Sequence, residues 1–218
     1  MDYAHYDTSA GEKSSVTARF NRPEISAELQ KLRESAFKRQ IPTADDETLT
    51  FLINQLRALQ PKNILELGTA TGISGIAMLC ACEEARLTTV EKNESFYNEA
   101  KRNFACFGVD MRVNAILADA CAALDMLDGA YDFIFMDCAK AQYIKYLPAL
   151  KRLLKRGGVL IADDVLLFGW LTGEAEIPQK RKMLYKHVCE YVHAVTNDDA
   201  LSTTIINIGD GLAFSVKL

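Results

Sequence analysis

Residues 64–72 read Ile-Leu-Glu-Leu-Gly-Thr-Ala-Thr-Gly, and Thr89-Val90-Glu91 follows after one helix-like segment. The first stretch is an apolar segment that ends in a turn, and the second is an apolar segment that ends in a carboxylate. A strand, a glycine-containing turn, a helix and a second strand in this order predict the first βαβ unit of a parallel nucleotide-binding sheet. In such a unit Glu91 is placed to accept hydrogen bonds from the two hydroxyls of a ribose.

The turn between this strand and helix lacks the G-x-G-x-x-G spacing that brings a pyrophosphate to a helix N-terminus. Its glycines, Gly68 and Gly72, are separated by three residues, and Glu66 precedes them. This looser turn favours a cofactor without phosphate groups, and it resembles the first motif of S-adenosylmethionine (SAM) methyltransferases. The alternative is an ordinary turn that binds nothing, but the strand-end carboxylate of Glu91 argues against it.

The length and composition of the chain predict one folded domain with a flexible end. The chain has 218 residues and a formal net charge of −4, and it is long enough for an ample core. A pI of about 5.5 argues against a general polyanion binder, although local basic patches are compatible with it. Residues 1–20 are polar and rich in Ser and Thr, so we expect a flexible N-terminal arm there and a single domain over residues 21–218.

The sequence also favours a cytoplasmic protein that does not interact with membranes. No apolar stretch approaches the length of a membrane span, and the N-terminus has no apolar signal-peptide core. Six cysteines show no C-x-x-C pair and no zinc-type spacing. They are interpreted as reduced thiols of the protein core: Cys80, Cys82, Cys106, Cys121, Cys138 and Cys189.

Strand-like and helix-like patterns alternate from about residue 62 onwards. Helices are predicted at about residues 23–39, 74–82, 94–107, 120–127, 142–154 and 178–195, and another begins near Thr43 or Asp45 and ends at Pro61. Besides the two strands of the first unit, strands are predicted at residues 112–117, 131–137, 158–162, 203–208 and 212–217. A turn is predicted at residues 155–158, and Gly209-Asp210-Gly211 between the last two strands predicts a hairpin.

This alternation predicts an α/β fold with a Rossmann-like, doubly wound sheet. We expect seven strands, mostly parallel, with an antiparallel C-terminal hairpin. Near-continuous apolar strands such as Phe133-Ile134-Phe135-Met136 fit strands that are covered on both faces. Ligands of such sheets bind at the carboxyl ends of the strands.

Acidic residues follow four of the predicted parallel strands: Glu91, Asp119, Asp137 and the pair Asp163-Asp164. Because these strand ends share one edge of the sheet, the carboxylates should repel one another unless a cation lies among them. Glu91 and Asp119 are assigned to neutral donors, namely the ribose hydroxyls and the amine of an adenine.

The remaining acids, Asp137, Asp163 and Asp164, predict a site for a hard divalent cation. Their oxygen ligands suit Mg²⁺, with Mn²⁺ or Ca²⁺ as alternatives. The competing interpretation is that Asp163 or Asp164 only caps the following loop. Lys140 lies three residues after Asp137, and a neighbouring metal and sulfonium would lower its pKa, so that it could take a proton from a hydroxyl. A solvated surface lysine is the alternative.

These features together resemble the cation-dependent O-methyltransferase family, which contains the catechol and caffeoyl-CoA O-methyltransferases. The resemblance covers roughly residues 22–218. Its matching segments are residues 64–72, Val90-Glu91, Asp119-Ala120, residues 135–137 with Lys140 and Tyr143, residues 162–166, Gly169 and residues 208–212. The pattern is most similar to the bacterial branch that includes tRNA 5-hydroxyuridine methyltransferases, which has Ala-Lys-Gly-Gln-Tyr where this chain has Ala139-Lys140-Ala141-Gln142-Tyr143.

The resemblance implies specific roles and a homodimer. It implies Mg²⁺ on Asp137, Asp163 and Asp164, and catalysis by Lys140 as the base together with Asp137. It implies SAM binding by Ala44, Glu66, Gly68, Thr69, Gly72, Ser74, Glu91, Asp119, Ala120 and Asp137.

Several positions depart from the family pattern, Asp164 and Leu167 among them. Asp164 stands where the family usually has Asn, so it either strengthens metal binding while weakening the pull of the metal on the substrate oxygen, or stays protonated and mimics the amide. Leu167 stands where an aromatic residue is common, and Trp170 follows three residues later. These changes affect the acceptor pocket more than the chemistry.

Three functions are consistent with the sequence. The first is a SAM-dependent O-methyltransferase for a small catechol-like or vicinal-diol acceptor, and the second is the same chemistry on hydroxylated uridine in tRNA. In the second case Lys151-Arg152-Lys155-Arg156 and Lys180-Arg181-Lys182 would contact phosphates, although each cluster also fits a solvated helix face. The third is a non-catalytic SAM- or RNA-binding module, against which Lys140 and the three acids argue.

Overall fold

The computed structural model describes residues 20–218. The predicted N-terminal arm, residues 1–20, therefore lies outside the described residues except for its last position. Seven helices are described: α1 (Ala27–Lys38), α2 (Asp46–Leu59), α3 (Ile73–Ala81), α4 (Glu94–Cys106), α5 (Ala120–Met126), α6 (Tyr143–Leu153) and α7 (Lys182–Thr196). Single 3₁₀ turns lie at Asp110–Arg112, Lys140–Gln142 and Gln179–Arg181.

The seven strands form one sheet. They are β1 (Asn63–Leu67), β2 (Arg86–Glu91), β3 (Val113–Leu117), β4 (Tyr131–Met136), β5 (Leu154–Ala162), β6 (Leu201–Ile206) and β7 (Leu212–Lys217). The strand order is β3-β2-β1-β4-β5-β7-β6. Strands β1 to β5 pair in parallel, whereas β7 pairs antiparallel with both β5 and β6. The predicted doubly wound, mostly parallel sheet with an antiparallel C-terminal hairpin is confirmed.

Helices cover both faces of the sheet because successive strand residues point to opposite sides. On one face Ile64, Phe133 and Phe135 pack in a core with α1, α2, α3 and α4. On the other face Leu65 and Ile134 pack in a core with α5, α6 and α7. This alternation explains the near-continuous apolar strands of the sequence.

The carboxyl ends of the parallel strands and the C-terminal hairpin turn meet at one edge of the sheet. Since β7 runs antiparallel to β5, the turn before β7 lies beside the end of β5. The N–H of Val165 donates to the carbonyl of Gly211 (2.9 Å), and the N–H of Leu166 donates to the carbonyl of Asp210 (2.8 Å). This contact holds the loop after β5 at the edge where the predicted site residues lie.

The structure decides between two predicted caps and shifts several predicted boundaries. Helix α2 is capped by Asp45, whose carboxylate accepts from the N–H of Thr48, so Thr43 is not the cap. The first helix begins at Ala27 after an N-cap at Ser26, four residues after the predicted start. The turn predicted at residues 155–158 belongs to β5, where the register with β4 shifts; the φ of +74° at Gly157 allows this irregularity within the strand.

The interpretation of the cysteines as core thiols is wrong for several of them. All six lie within the described residues and none forms a disulfide, but only Cys82 is buried. Cys80, Cys106 and Cys121 are exposed because they occupy the solvent side of their helices. Within residues 20–218, no helix is long and apolar enough to cross a membrane.

Candidate active site

A cavity of about 230 Å³ lies at the carboxyl ends of β1, β2 and β4. Its wall is formed by the turn after β1, the end of β2, the start of α5 and the segment after β4. The lining residues are Pro42, Thr43, Ala44, Leu49, Gly68, Thr69, Ala70, Thr71, Ile73, Ser74, Val90, Glu91, Lys92, Phe96, Ala118, Asp119, Ala120, Asp137, Cys138, Ala139, Lys140 and Tyr146. The position agrees with the rule that doubly wound sheets bind ligands at this edge.

The turn after β1 has a compact backbone that brings it close to β4. Gly68 has φ +101°, and a Cβ there would lie 2.0 Å from the carbonyl oxygen of Asp137. Only glycine therefore fits at this position. Ala70 adopts φ +44°, a left-handed conformation that is uncommon for a residue with a Cβ. This conformation presents its N–H to the carboxylate of Glu91 at 2.9 Å.

Glu91 is fixed at the wall of the cavity by two backbone donors. Its Oε2 accepts from Ala70, and its Oε1 accepts from the N–H of Asn93 at 2.8 Å. Each carboxylate oxygen has a further lone pair, so both remain able to accept from a ligand. This placement agrees with the expected role of Glu91 towards a ribose diol.

Glu66 lies beneath the cavity and not in its wall. Its side chain is fully buried and accepts from the hydroxyls of Ser74 (2.5 Å) and Thr89 (2.6 Å). Burial raises the pKa of Glu66 to about 7, although the two hydroxyl donors oppose this shift. Thr89 also shares a hydrogen bond with Thr69, so Glu66 supports two residues of the wall.

The structure brings most of the predicted cofactor residues together. Eight of them line the cavity: Ala44, Gly68, Thr69, Ser74, Glu91, Asp119, Ala120 and Asp137. Glu66 and Gly72 do not. Gly72 has φ +85° at the start of α3, and a Cβ there would meet the ring of Phe104, so its role is to shape the turn.

Lys140 and the strand-end acids form a cluster beside the cavity. The Nζ of Lys140 lies 2.7 Å from Oδ1 of Asp137 and 2.7 Å from Oδ2 of Asp164. Asp163 is buried, and its carboxylate accepts from the N–H of Asp164 at 2.8 Å. Since Lys140 and Asp137 also line the cavity, the cluster and the cavity share one wall.

The charged groups of this cluster shift one another's pKa values. Burial alone would lower the pKa of the Lys140 ammonium, but Asp137 and Asp164 raise it well above its ordinary value. Burial raises the pKa of Asp163 well above its usual range, and the neighbouring carboxylates of Asp164 and Asp137 add to this effect. Lys140 is therefore a buried ammonium that balances the acids in this arrangement.

Two further acids near this cluster were not predicted. Asp45 caps α2, and Asp210 lies in the hairpin turn, where its Oδ1 accepts from the N–H of Phe168 at 2.5 Å. Burial and the charge of Asp164 raise the pKa of Asp210 to about 7. Neither acid follows a parallel strand in the sequence, so the strand-end rule does not find them.

No group of three or more His, Cys, Asp or Glu side chains is arranged as a metal site within residues 20–218. The predicted ligands Asp137, Asp163 and Asp164 nevertheless share one cluster, in which Lys140 supplies the positive charge. The metal assignment therefore remains a prediction.

Similarity to known proteins identifies the family. A sequence model described as O-methyltransferase matches residues 14–218. The chain belongs to this family. Tapetum-specific methyltransferase 1 of Arabidopsis thaliana is 32% identical to this O-methyltransferase over 201 residues, which are 87% of this chain and 86% of that protein.

Two further relatives carry the name of the caffeoyl-CoA O-methyltransferases. The Stellaria longipes enzyme is 30% identical over 198 residues, covering 86% of this chain and 80% of that protein. The crystal structure of a Staphylococcus aureus protein assigned as a caffeoyl-CoA O-methyltransferase is 34% identical, with a TM-score of 0.81, and covers 88% of this chain and 93% of that chain. The predictions of a SAM-dependent O-methyltransferase and of its fold are thus confirmed.

The two basic clusters of this O-methyltransferase differ in their surroundings. Lys151 pairs with Asp198, Lys155 pairs with Asp132, and Arg152 donates to the carbonyls of Leu124 and Leu127. These contacts assign most of the first cluster to intrachain structure. In the part of the chain that is described, Lys180, Arg181 and Lys182 are exposed and have no charged partner.

Sequence reasoning missed several apolar wall residues of the O-methyltransferase cavity. Phe96 and Tyr146 line it, yet neither follows a strand end directly. Phe96 lies in the first turn of α4, shortly after Glu91. Its position along the sequence, shortly after Glu91, is the one signal that could have predicted its place in the cavity wall.

Proposed function

We propose that this O-methyltransferase transfers the methyl group of SAM to a hydroxyl of a small acceptor with two adjacent oxygens, such as a catechol-like compound or a vicinal diol, and that it uses a divalent cation. The observation that carries the proposal is that the cavity shares one wall with the acid–lysine cluster, which consists of Lys140 and the strand-end acids. Asp137 and Lys140 belong to both, so a cofactor in the cavity and an acceptor at the cluster would be neighbours.

The cavity residues fit SAM. Glu91 and Asp119 offer carboxylate oxygens in the wall of the cavity, where they would hold the ribose and the adenine. The Oγ1 of Thr71 is buried in the wall and has no partner among residues 20–218, so it is available to the amino-acid tail of a ligand. The absence of a side chain at Gly68 lets the turn after β1 lie against the backbone of Asp137.

The acid cluster fits a hard divalent cation in its donor chemistry. Asp137, Asp163 and Asp164 supply only oxygen atoms, which suit Mg²⁺ or Mn²⁺. The acids raise the pKa of Lys140, and burial together with the carboxylates of Asp164 and Asp137 raises the pKa of Asp163. The cluster therefore holds more carboxylates than one ammonium balances. The three carboxylates would hold the cation, and Lys140 would be its neighbour.

When bound, SAM supplies an electrophilic methyl group, and a divalent cation supplies charge that lowers the pKa of a hydroxyl. Lys140 is the base in this proposal. As long as its ammonium is held by Asp137 and Asp164 it cannot accept a proton, so a base role requires additional positive charge among these carboxylates. The walls around Lys140 would exclude water and orient the acceptor hydroxyl, and such positioning contributes about 7–11 kcal/mol in well-oriented reactions.

The small-molecule acceptor is supported by the names of the relatives, two of which are caffeoyl-CoA O-methyltransferases. The alternative acceptor, hydroxylated uridine in tRNA, is supported by the resemblance of residues 139–143 to the tRNA-modifying branch and by the exposed cluster of Lys180, Arg181 and Lys182. Most of the other basic cluster has intrachain partners, which reduces the surface available for phosphate contacts.

The decisive experiment measures methyl transfer from SAM to a panel of catechols and vicinal diols with and without EDTA. We expect activity that is lost in EDTA and restored by Mg²⁺ or Mn²⁺. The Asp137→Ala variant should lose turnover and keep most of its SAM affinity, measured by calorimetry. Full activity of the native enzyme in excess EDTA would refute the cation, and turnover of hypomodified tRNA alone would refute the small acceptor.

We further propose a homodimer, as the family resemblance implies. Phe37 on α1 is 76% exposed, so a partner subunit packed against α1 would cover a large apolar side chain. Sedimentation equilibrium of native protein and of Phe37→Asp tests the proposal, since a dimer that uses this face would dissociate in the variant.

A further inference from the structure

The hydroxyl of Tyr143 spans two strand ends that carry site residues. Tyr143 is fully buried and follows the 3₁₀ turn that contains Lys140. Its hydroxyl oxygen lies 3.1 Å from the carbonyl oxygen of Met136 and 3.3 Å from that of Asp163. A hydroxyl has one proton, so the two carbonyls share it. Each carbonyl belongs to the peptide bond directly before a proposed ligand, Asp137 or Asp164.

The peptide between Asp163 and Asp164 has both of its polar groups held by side chains. Its N–H donates to the carboxylate of Asp163 at 2.8 Å, and its carbonyl accepts from Tyr143. Asp164 then adopts φ +56°, a left-handed conformation that persists only where the surrounding structure imposes it. In this conformation its carboxylate reaches Lys140.

The two acceptors of Tyr143 differ in how much they depend on it. The carbonyl of Met136 also accepts from the N–H of Asp163 at 3.0 Å, so the pairing of the strand ends has its own hydrogen bond. The carbonyl of Asp163 has no other described donor. Tyr143 therefore acts chiefly on the Asp163–Asp164 peptide.

We infer that Tyr143 is a positioning residue whose hydroxyl orients the Asp163–Asp164 peptide and thereby aims the Asp164 carboxylate into the acid–lysine cluster. The consequence for cation binding rests on the proposed function. The orientation of the peptide itself does not depend on any cation. Tyr143 does not line the cavity, so SAM binding should be independent of its hydroxyl.

Tyr191 on α7 is a matched control. Its ring meets that of Tyr143 edge to face, with centroids 5.4 Å apart and an angle of 71°, and it is equally buried. Its hydroxyl has no hydrogen-bond partner in the described chain. The substitutions Tyr143→Phe and Tyr191→Phe thus remove the same atom from two adjacent rings, and only the first removes hydrogen bonds.

The experiment compares both variants with the native protein by Mn²⁺ titration, SAM calorimetry and hydrogen exchange of the Asp164 amide. Removal of such supporting hydrogen bonds typically weakens metal binding about 10- to 100-fold, and we expect this for Tyr143→Phe with SAM affinity unchanged. The Asp164 amide should exchange faster in Tyr143→Phe without any cation. Tyr191→Phe should match the native protein in all three measurements.

Equal Mn²⁺ affinity and equal amide exchange in the two variants would overturn the inference. A native protein that binds no Mn²⁺ would overturn the proposed cation instead, while amide exchange still decides the role of Tyr143. 3-Fluorotyrosine at position 143 keeps the hydroxyl and should restore native behaviour. If 3-fluorotyrosine lowered Mn²⁺ affinity as much as Phe does, the effect would come from ring packing and not from the hydroxyl. That result would also overturn the inference.

Discussion

The ammonium nitrogen of Lys140 lies 2.7 Å from the carboxylate of Asp137, three residues earlier in the chain. The same nitrogen reaches Asp164 on the far side of the cluster. Lys140 thus joins the ends of β4 and β5, and it does so at the wall of the cavity. A residue in this position has two separable properties, a positive charge and a removable proton.

The substitution Lys140→Arg separates these properties. Arginine keeps the charge and can bond both carboxylates, but it does not give up its proton in proteins. We expect kcat to fall by about 10²- to 10⁴-fold, which is the usual contribution of a positioned acid or base. SAM affinity, measured by calorimetry, should stay close to native. The control is Lys145→Arg, at an exposed lysine of α6; near-native turnover of Lys140→Arg would show that only the charge matters.

Glu91→Ala should weaken SAM binding. Removal of the carboxylate leaves the ribose hydroxyls poorly paired, at a cost of about 1–3 kcal/mol, or roughly 5- to 150-fold in affinity. Calorimetry with SAM measures this change. Because Ala70 also loses its acceptor, the free energy of unfolding is measured in parallel. Glu94→Ala, an exposed position on α4, is the control, and unchanged affinity of Glu91→Ala would place the ribose elsewhere.

The exposed basic cluster decides between the two acceptor classes. Helix α7 runs from the edge that holds the site to the opposite edge, because it precedes β6, whose first residue Leu201 pairs with Lys217 at the end of β7. Lys180 and Arg181, just before α7, therefore lie at the site edge. If tRNA is bound, Lys180→Glu with Arg181→Glu should lower the salt dependence of binding by about one for each phosphate that the protein no longer neutralises.

The matched control for this test is Lys62→Glu with Arg86→Glu, which changes the charge equally at exposed positions where β1 and β2 begin, at the opposite edge of the sheet. Turnover of a small acceptor should be unchanged by either double substitution. The readout for tRNA is mass spectrometry of nucleosides. Undiminished tRNA turnover in the Lys180 and Arg181 variant would show that these residues do not contact tRNA phosphates.

Strand-end chemistry was predictable from the sequence because parallel strands bring their carboxyl ends to one edge. Glu91, Asp119 and Asp137 could be placed at the cavity for this reason, and the structure puts them there. Lys140 followed from its spacing after Asp137. The position of each residue along its strand was enough, since the register of the sheet is set by its apolar pattern.

Residues supplied by distant segments were not predictable in this way. Asp210 comes from the hairpin turn and Asp45 from a helix cap. Only the folding of the whole sheet and its helices brings them near Asp164. Glu66 shows a different limit. Its place in the sequence predicts a residue of the cavity wall, but its side chain lies beneath the cavity and contacts Ser74 and Thr89. The packing of the folded chain, and not the sequence pattern, determines this orientation.

Glu66 should make the stability of the protein depend on pH. Burial raises its pKa from 4.5 to about 7. Between these values the carboxyl is protonated in the folded state and ionised in the unfolded state, so the folded state binds more protons. Stability therefore falls as pH rises through this window. At low pH, below both values, Glu66 is neutral in both states and this penalty is absent.

The substitution Glu66→Gln removes the penalty and keeps the shape of the side chain. Relative to the native protein, the variant should gain roughly 2 kcal/mol of unfolding free energy between pH 5 and pH 8. Other acids with raised pKa values, such as Asp163 and Asp210, are present in both proteins, so the difference isolates Glu66. Urea denaturation across this range measures it, with Glu94→Gln at an exposed site as the control. A difference that stays constant with pH, or that shrinks as pH rises, would show that Glu66 is already ionised in its buried position.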